Sequence, residues 1–165
     1  MPLRVDSASR VIKAPPADIY RAYVDPDALV RWLPPTGMKG RIENFDPRDG
    51  GDYRIVLTYV DANQSAAGKT TPDADVVHGR FLELVPDRRI VQSVRFESAD
   101  PQFAGEMTLT WNLNPAPEGT TVVIAAENVP DGITRADHEA GFAATLDSLA
   151  AFVEGRSDGP GSTRT

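Results

Sequence analysis

The sequence lacks cysteine altogether, has only two histidines, and contains no apolar run approaching the ~18 residues of a membrane span. Without cysteine the chain has no disulfide, no thiolate nucleophile and no cysteine-based zinc or iron–sulfur site. The histidines, His78 and His138, belong to no cluster with the spacing of metal ligands. The first residues lack the apolar core of a secretory signal. The sequence therefore predicts a cytoplasmic protein that binds no metal and no cofactor.

Positive charge is also scarce. The chain has 17 Lys and Arg residues against 24 Asp and Glu residues, which gives a formal net charge of −7. A nucleic-acid-binding protein needs a basic face to neutralise phosphates, and an anionic membrane surface attracts basic proteins for the same reason. We therefore expect no nucleic-acid partner and no membrane insertion, and we interpret the acidic excess as a contribution to solubility.

What the sequence does contain is a series of segments in which apolar and polar residues alternate, as in half-buried β-strands. Residues 3–13 form the first, and residues 17–24 and 26–33 then have the spacing of two short helices. Further strands are predicted at 38–45, 52–60, 76–85, 89–97, 105–113 and 120–128, with a long mobile loop at 61–75. The connections are too short for parallel crossovers, so the sequence predicts antiparallel pairing.

One long helix follows these strands. Thr134 is placed to cap it, with Asp137 three residues later in an Asp variant of the capping box. The apolar stripe of the helix consists of Phe142, Leu146, Leu149 and Val153. Gly155 is predicted to end the helix, which leaves residues 156–165 as a disordered tail.

This order of elements predicts an α+β domain over residues 1–155, with the long helix packed on one face of the sheet. A sheet of about six or seven strands twists and curls. A single helix on its concave side cannot fill the enclosed volume. We therefore expect a cavity between the sheet and the C-terminal helix, of the kind that accepts apolar ligands.

Several motifs in this order carry a family resemblance. They are 11–15 (VIKAP) with 19–22 (IYRA), 25–26 with Leu29 and 32–35 (WLPP), 50–54 (GGDYR), 79–86 (GRFLELVP) with 89–91, and 127–133 (ENVPDGI) leading to 138–142 (HEAGF), Leu146 and Leu149. Over about residues 3–155 the chain resembles START-like (SRPBCC, helix-grip) domains, in the branch related to the activator of a heat-shock-chaperone ATPase. The resemblance implies a curved antiparallel sheet around a long C-terminal helix, with two short helices after the first strand.

The resemblance also implies a ligand-binding cavity, because domains of this class bind lipids, polyketides, plant hormones and other apolar molecules. The predicted ligand-binding residues are Trp32, Tyr53, Tyr59, His78, Phe81, Gln92, Phe96, Met107, Trp111, His138, Phe142 and Leu146. Gln92 shares a strand face with apolar residues, so it is either a structural hydrogen-bonding partner or a ligand anchor. His138 is either a packing residue near the start of the helix or a polar anchor at the pocket mouth. No catalytic residue is assigned.

Three functions are consistent with these features. The leading hypothesis is binding of a small hydrophobic or amphipathic molecule without catalysis. The first alternative is a cyclase-, dehydratase- or hydrolase-like enzyme that uses an enclosed polar group for acid–base chemistry, since some members of the class are cyclases or aromatases. The second is a chaperone-associated regulatory domain, which the family resemblance alone suggests. A homodimer is left open.

Overall fold

The structure of the protein, a computed structural model, describes residues 4–35, 37–60 and 74–157. The loop predicted at 61–75 lies outside the described residues up to residue 73, and its last two residues belong to a strand instead. The tail predicted at 156–165 lies outside them from residue 158 onward, and its first two residues belong to the C-terminal helix instead.

The described chain forms one sheet and three α-helices, in the order expected. The elements are β1 (Val5–Ile12), α1 (Pro16–Val24), α2 (Pro26–Trp32), β2 (Met38–Glu43), β3 (Asp52–Tyr59), β4 (Ala74–Val85), β5 (Arg89–Phe96), a 3₁₀ turn (Pro101–Phe103), β6 (Met107–Ala116), β7 (Gly119–Glu127) and α3 (Arg135–Ser157). Asp25 caps α2 through a hydrogen bond from the backbone N–H of Asp27, and Pro26 occupies the first turn.

The sheet has seven strands in the order β1-β7-β6-β5-β4-β3-β2, and every neighbouring pair is antiparallel. The predicted α+β helix-grip fold is confirmed, with a curved sheet and a long C-terminal helix. The inward faces of the central strands are those that the alternation predicted. On β6, for example, Met107, Trp111 and Leu113 are all buried.

The first strand buries its more polar face. Asp6 is fully buried and Val11, on the other face, is 44% exposed. The Asp6 carboxylate can be buried because Arg4 and His138 bind it. β1 is also an edge strand, and α3 covers its outer N–H groups. The backbone N–H of Ser7 donates to Glu139 of α3, and that of Lys13 donates to Glu154. Carboxylates of the helix thus satisfy backbone donors that would otherwise form an open sheet edge.

The long helix begins as predicted but ends later. Thr134 Oγ1 accepts a hydrogen bond of 3.2 Å from the N–H of Asp137, which confirms the cap. The predicted stripe of Phe142, Leu146, Leu149 and Val153 is buried. The predicted stop at Gly155 is wrong, because α3 continues through Ser157. A glycine lowers helix stability but does not by itself end a helix. Over the part of the chain that is described, no helix is both long and apolar enough to span a membrane.

Candidate functional site

A cavity of about 590 Å³ lies between the concave face of the sheet and α3. Its apolar lining is formed by Leu33, Pro34, Pro35, Ile55, Leu57, Val77, Val94, Phe96, Phe103, Met107, Leu109, Ile124, Ile133, Phe142 and Ala144. The polar side chains that reach it are Tyr23, Tyr53, Asp75, Gln92, Trp111, Thr134, Asp137, His138, Thr145 and Ser148. Apolar groups therefore dominate the lining, as in sites for apolar ligands.

The cavity has a buried end and a mouth. We define the buried end by Tyr23, Tyr53, Gln92 and Trp111, each of which is at most 5% exposed. The mouth lies beside the first turns of α3, where lining residues such as Thr134, Asp137 and Gly141 are exposed. A molecule that enters here would pass α3 before it reached the buried end.

The structure places most of the predicted ligand-binding residues around this cavity. Those that line it are Tyr53, Gln92, Phe96, Met107, Trp111, His138 and Phe142. Those that do not line it are Trp32, Tyr59, His78, Phe81 and Leu146. Contact of any of them with a ligand stays a prediction.

Three of the residues outside the lining belong to the core behind it. Trp32, Phe81 and Leu146 are each at most 1% exposed. The Trp32 indole N–H donates to the carbonyl of Ala22 at 3.0 Å, which holds α1 and α2 together. The Phe81 ring packs against Tyr53 with their centroids 5.1 Å apart. These side chains support the cavity wall without reaching the cavity.

The other two lie elsewhere. Tyr59 is on the same alternating face of β3 as Tyr53 but beyond the lining residues. His78 points to the outer face of the sheet, where it pairs with Glu97. Arg54 donates to the same carboxylate at 2.8 Å. His78 and Arg54 line a second, polar concavity of about 490 Å³, which shares the residue Tyr53 with the apolar cavity.

Tyr23 is a lining residue that the sequence did not identify. It lies near the end of α1 and is 5% exposed. Its helix spacing with Ile19 and Ala22 indicated only a buried face. The direction in which α1 packs on the sheet, which decides whether Tyr23 reaches the cavity, depends on contacts between distant segments. Asp75 was missed as well, because it was assigned to the loop before β4.

A chain of hydrogen bonds crosses the buried end. The Tyr23 hydroxyl donates to Oε1 of Gln92 at 2.6 Å, and Nε2 of Gln92 donates to the Tyr53 hydroxyl at 2.5 Å. The amide of Gln92 is only 1% exposed, so both of its ends need partners inside the protein. Gln92 is therefore a structural partner of two tyrosines, and it also lines the cavity.

Both tyrosines stay neutral. Burial raises the pKa of Tyr23 well above its ordinary value of 10, against smaller lowering effects of the hydrogen bond to Gln92 and of the Trp111 indole. Burial likewise raises the pKa of Tyr53, and the hydrogen bond from Gln92 opposes this only in part. The buried end thus presents neutral hydroxyl groups to a ligand.

Trp111 forms the wall beside Tyr23. Its ring meets Tyr23 edge-on at a centroid distance of 4.9 Å and Trp32 at 5.9 Å, geometries that aromatic pairs favour. Trp111 is 2% exposed, yet its Nε1 has no hydrogen-bond acceptor among the described residues. Although the indole is close enough to Tyr23 to affect the pKa of that residue, the contact lacks hydrogen-bond geometry.

His138 lies at the mouth and is held by β1. Its Nδ1 is 2.7 Å from Oδ2 of Asp6, and its ring packs on Phe142 at a centroid distance of 4.1 Å. Arg4 donates to both oxygens of the same carboxylate, at 2.9 and 2.8 Å. Because an ionised carboxylate only accepts, Nδ1 of His138 carries the donated hydrogen.

The charge on Asp6 is stabilised in this cluster. Hydrogen bonding from Arg4 lowers the pKa of Asp6 below its ordinary value of 3.8, and the hydrogen bond from His138 acts in the same direction, although burial opposes both. With Nδ1 engaged, Nε2 of a neutral His138 is the ring atom left to accept a hydrogen bond at the mouth.

The sequence and the structure were compared with known proteins. No curated protein matches the chain. Among solved structures, a protein from Chromobacterium violaceum is 35% identical, with a TM-score of 0.80 over 91% of this chain and 96% of that one. An AHSA1-like protein from Aeromonas hydrophila is 18% identical, with a TM-score of 0.70 over 93% of this chain and 94% of that one, and this likeness shows the fold alone.

The family assignment comes from a match over most of the chain. The family model described as Activator of Hsp90 ATPase homolog 1-like protein matches residues 13–154. This range includes α1, α2, β2 to β7 and nearly all of α3, and it confirms the resemblance seen in the sequence. The chain belongs to the family of Activator of Hsp90 ATPase homolog 1-like proteins.

Proposed function

We propose that the protein binds a small hydrophobic or amphipathic molecule in the cavity between the sheet and α3. The observation that carries the proposal is an apolar space of about 590 Å³ that the core side chains leave unfilled. Pockets of roughly 300–1,000 Å³ hold ligands of drug-like size. Burial of apolar ligand surface would supply most of the binding free energy, at roughly 25 cal/mol per Å² before the costs of association.

Polar groups at the two ends of the cavity support an amphipathic ligand. The Tyr53 hydroxyl and the Trp111 indole lie at the buried end, and His138 lies at the mouth. Between them the walls are mainly aliphatic and aromatic. A few polar groups in an apolar pocket orient a ligand rather than add much affinity.

Native mass spectrometry and thermal shift, run on a panel of lipids and aromatic metabolites, test this proposal. We expect at least one compound to form a 1:1 complex and to raise the melting temperature as its concentration exceeds the dissociation constant. Two variants locate the site. Ala144 lines the cavity, whereas the neighbouring Ala143 is exposed and does not line it.

Ala144→Phe places an aromatic ring at the cavity wall and should weaken binding, while Ala143→Phe should leave it unchanged. Equal binding by both variants would place the ligand elsewhere on the protein. If no compound of the panel binds, the proposal loses its support.

One observation favours an enzyme as a second candidate. His138 is a titratable group that lines the cavity, and Asp6 orients its ring in the way that general bases are often held. Each compound that binds should then be incubated with the protein, and its chromatographic retention time and mass followed over time. Turnover that His138→Gln abolishes while binding persists would support catalysis. A ligand unchanged in both retention time and mass would favour binding alone.

The family name refers to activation of the Hsp90 ATPase. A shared fold does not by itself carry an activity from one protein to another. Within the described residues we find no feature that favours this activity over ligand binding.

A further inference from the structure

The hydrogen-bond chain at the buried end leaves one hydroxyl proton unused. Tyr23 gives its proton to Oε1 of Gln92, and Gln92 gives an N–H to the oxygen of Tyr53. The hydroxyl proton of Tyr53 is the one left over in these hydrogen bonds, and it has no acceptor among the described residues. Reversing the amide of Gln92 would only move the unused proton to Tyr23, since an amide offers one acceptor atom to two hydroxyls.

The structure has the first of these two arrangements. Oε1 of the Gln92 amide faces the Tyr23 hydroxyl at 2.6 Å, and Nε2 faces the Tyr53 hydroxyl at 2.5 Å. Tyr53 is then the end of the chain, and its free O–H faces the cavity that its side chain lines.

The Trp111 indole is a second donor without an acceptor. It is 2% exposed, lines the cavity, and belongs to β6, the strand next to the one that carries Gln92. A buried donor that lacks an acceptor destabilises a protein, so an unmet donor that faces a cavity points to a group that arrives with a ligand.

Charge decides what kind of acceptor fits. Among the described residues that line the cavity, Asp75 and Asp137 carry carboxyl groups and none is Lys or Arg. An anionic acceptor would lose its hydration there without gaining an opposite charge. A neutral oxygen, such as that of a ketone, accepts hydrogen bonds without this cost.

We propose that the ligand is an apolar ketone or a related neutral carbonyl compound, whose oxygen accepts hydrogen bonds from the Tyr53 hydroxyl and the Trp111 indole at the buried end. This inference rests on the proposed function and deepens it, because it names the chemical class of the molecule.

The test compares two probes of nearly the same shape, 2-acetylnaphthalene and 2-ethylnaphthalene, which differ chiefly in the carbonyl oxygen. Titration of the full chain should show the ketone binding about tenfold more tightly than the hydrocarbon, because a site with unmet donors discriminates against a molecule that cannot satisfy them. The infrared carbonyl stretch of the bound ketone should also move to lower frequency than in hexane.

Tyr53→Phe removes the terminal donor and should reduce the preference for the ketone over the hydrocarbon toward parity. Tyr59→Phe is the matched control, since it removes a hydroxyl from the same face of β3 outside the lining, and it should keep the full preference. Melting curves of both variants establish that they are folded. The comparison of the two probes on the unmodified chain needs no variant.

Equal affinities of the two probes, with no shift of the carbonyl stretch, would overturn the inference and leave the proposed function standing. A preference that Tyr53→Phe retains would overturn the assignment to Tyr53. If neither naphthalene binds, the result contradicts this inference and counts against the proposed function itself.

Discussion

Tyr53 of β3 lies over Gly79 of β4, its partner in the strand register. A Cβ atom placed on Gly79 would lie 2.0 Å from Cζ and 2.3 Å from the hydroxyl oxygen of Tyr53. The missing side chain therefore lets the tyrosine ring cross β4 and reach Gln92 on β5, with which it forms a 2.5 Å hydrogen bond. Gly79 shapes the buried end of the cavity without lining it.

Gly79→Ala should displace the Tyr53 ring and break its hydrogen bond to Gln92. We expect a loss of about 1–3 kcal/mol in the free energy of unfolding, measured by urea denaturation. Gly155→Ala is the control, because a Cβ there meets no atom within 4 Å. Unchanged stability of Gly79→Ala would show that the ring does not depend on this gap.

Gln92→Leu should destabilise the protein by about 1–3 kcal/mol, because it leaves the Tyr23 and Tyr53 hydroxyls buried without the amide. Adding Tyr23→Phe and Tyr53→Phe should recover much of this loss, since the triple variant has no unpaired polar side chain at any of these three positions. Chemical denaturation of the single and triple variants measures the effect. A triple variant less stable than Gln92→Leu would mean that the hydroxyls have other important roles.

Asp6→Asn should weaken the attachment of β1 to α3. The substitution removes the charge that Arg4 and His138 bind, and the Asp6 side chain is fully buried, so we expect a loss of about 2 kcal/mol at pH 7. Asp147→Asn is the matched control, because Asp147 joins the same strand and helix through Arg10 but is 67% exposed. Exposed ion pairs contribute little, so its loss should be much smaller.

The same cluster predicts a pH dependence. The pKa of Asp6 is lower in the folded protein than its ordinary value of 3.8. Its contribution to stability is therefore complete above that value and is lost as the pH falls through the lower, folded-state pKa. The stability difference between the original chain and Asp6→Asn should shrink in acid, as denaturation curves from pH 7 down to about pH 2 would record. A difference that stays constant with pH would contradict the lowered pKa.

Gly141→Ala should stabilise α3. Gly141 is exposed, and a Cβ added to it meets no atom within 4 Å, so the substitution gains helix propensity without a clash. We expect a gain of about 0.5–1 kcal/mol. Gly155→Ala, in the last turn of the helix, should give less stabilisation, because a residue near a helix end makes fewer intrahelical hydrogen bonds. Destabilisation by Gly141→Ala would show that the helix needs a glycine there for close packing.

The fold could be predicted from the sequence because local patterns, namely strand alternation, helix spacing and helix capping, specify its elements. Alternation predicted which side chains of β5 and β6 face inward, including Gln92, and the cap of the long helix was predicted at Thr134. The edge strand β1 was harder to interpret. Asp6 is buried there because Arg4, two residues earlier, and His138 on the distant α3 bind its carboxylate, and no local pattern encodes the meeting with His138.

The site was only partly predictable for a related reason. An inward-facing residue either lines the cavity or packs in the core behind it. The periodicity of the sequence is the same for both positions, so it does not distinguish them. Phe81 and Leu146 face inward but fill the core, whereas Tyr23 reaches the cavity only through the placement of α1. His78 illustrates a different difficulty. The alternation along its strand does not decide which face of the sheet His78 occupies, and the structure places its side chain on the outer face.

The central claim is that the cavity beside α3 binds an apolar molecule, and a blocked cavity tests it most directly. The measurement is the dissociation constant of the neutral fluorescent dye N-phenyl-1-naphthylamine for the original chain, Gly141→Leu and Gly155→Leu. Gly141 lines the cavity and Gly155, on the same helix, does not. The account predicts saturable 1:1 binding that Gly141→Leu weakens about tenfold or more and Gly155→Leu leaves unchanged. Binding that does not saturate, or that Gly141→Leu leaves intact, would contradict it.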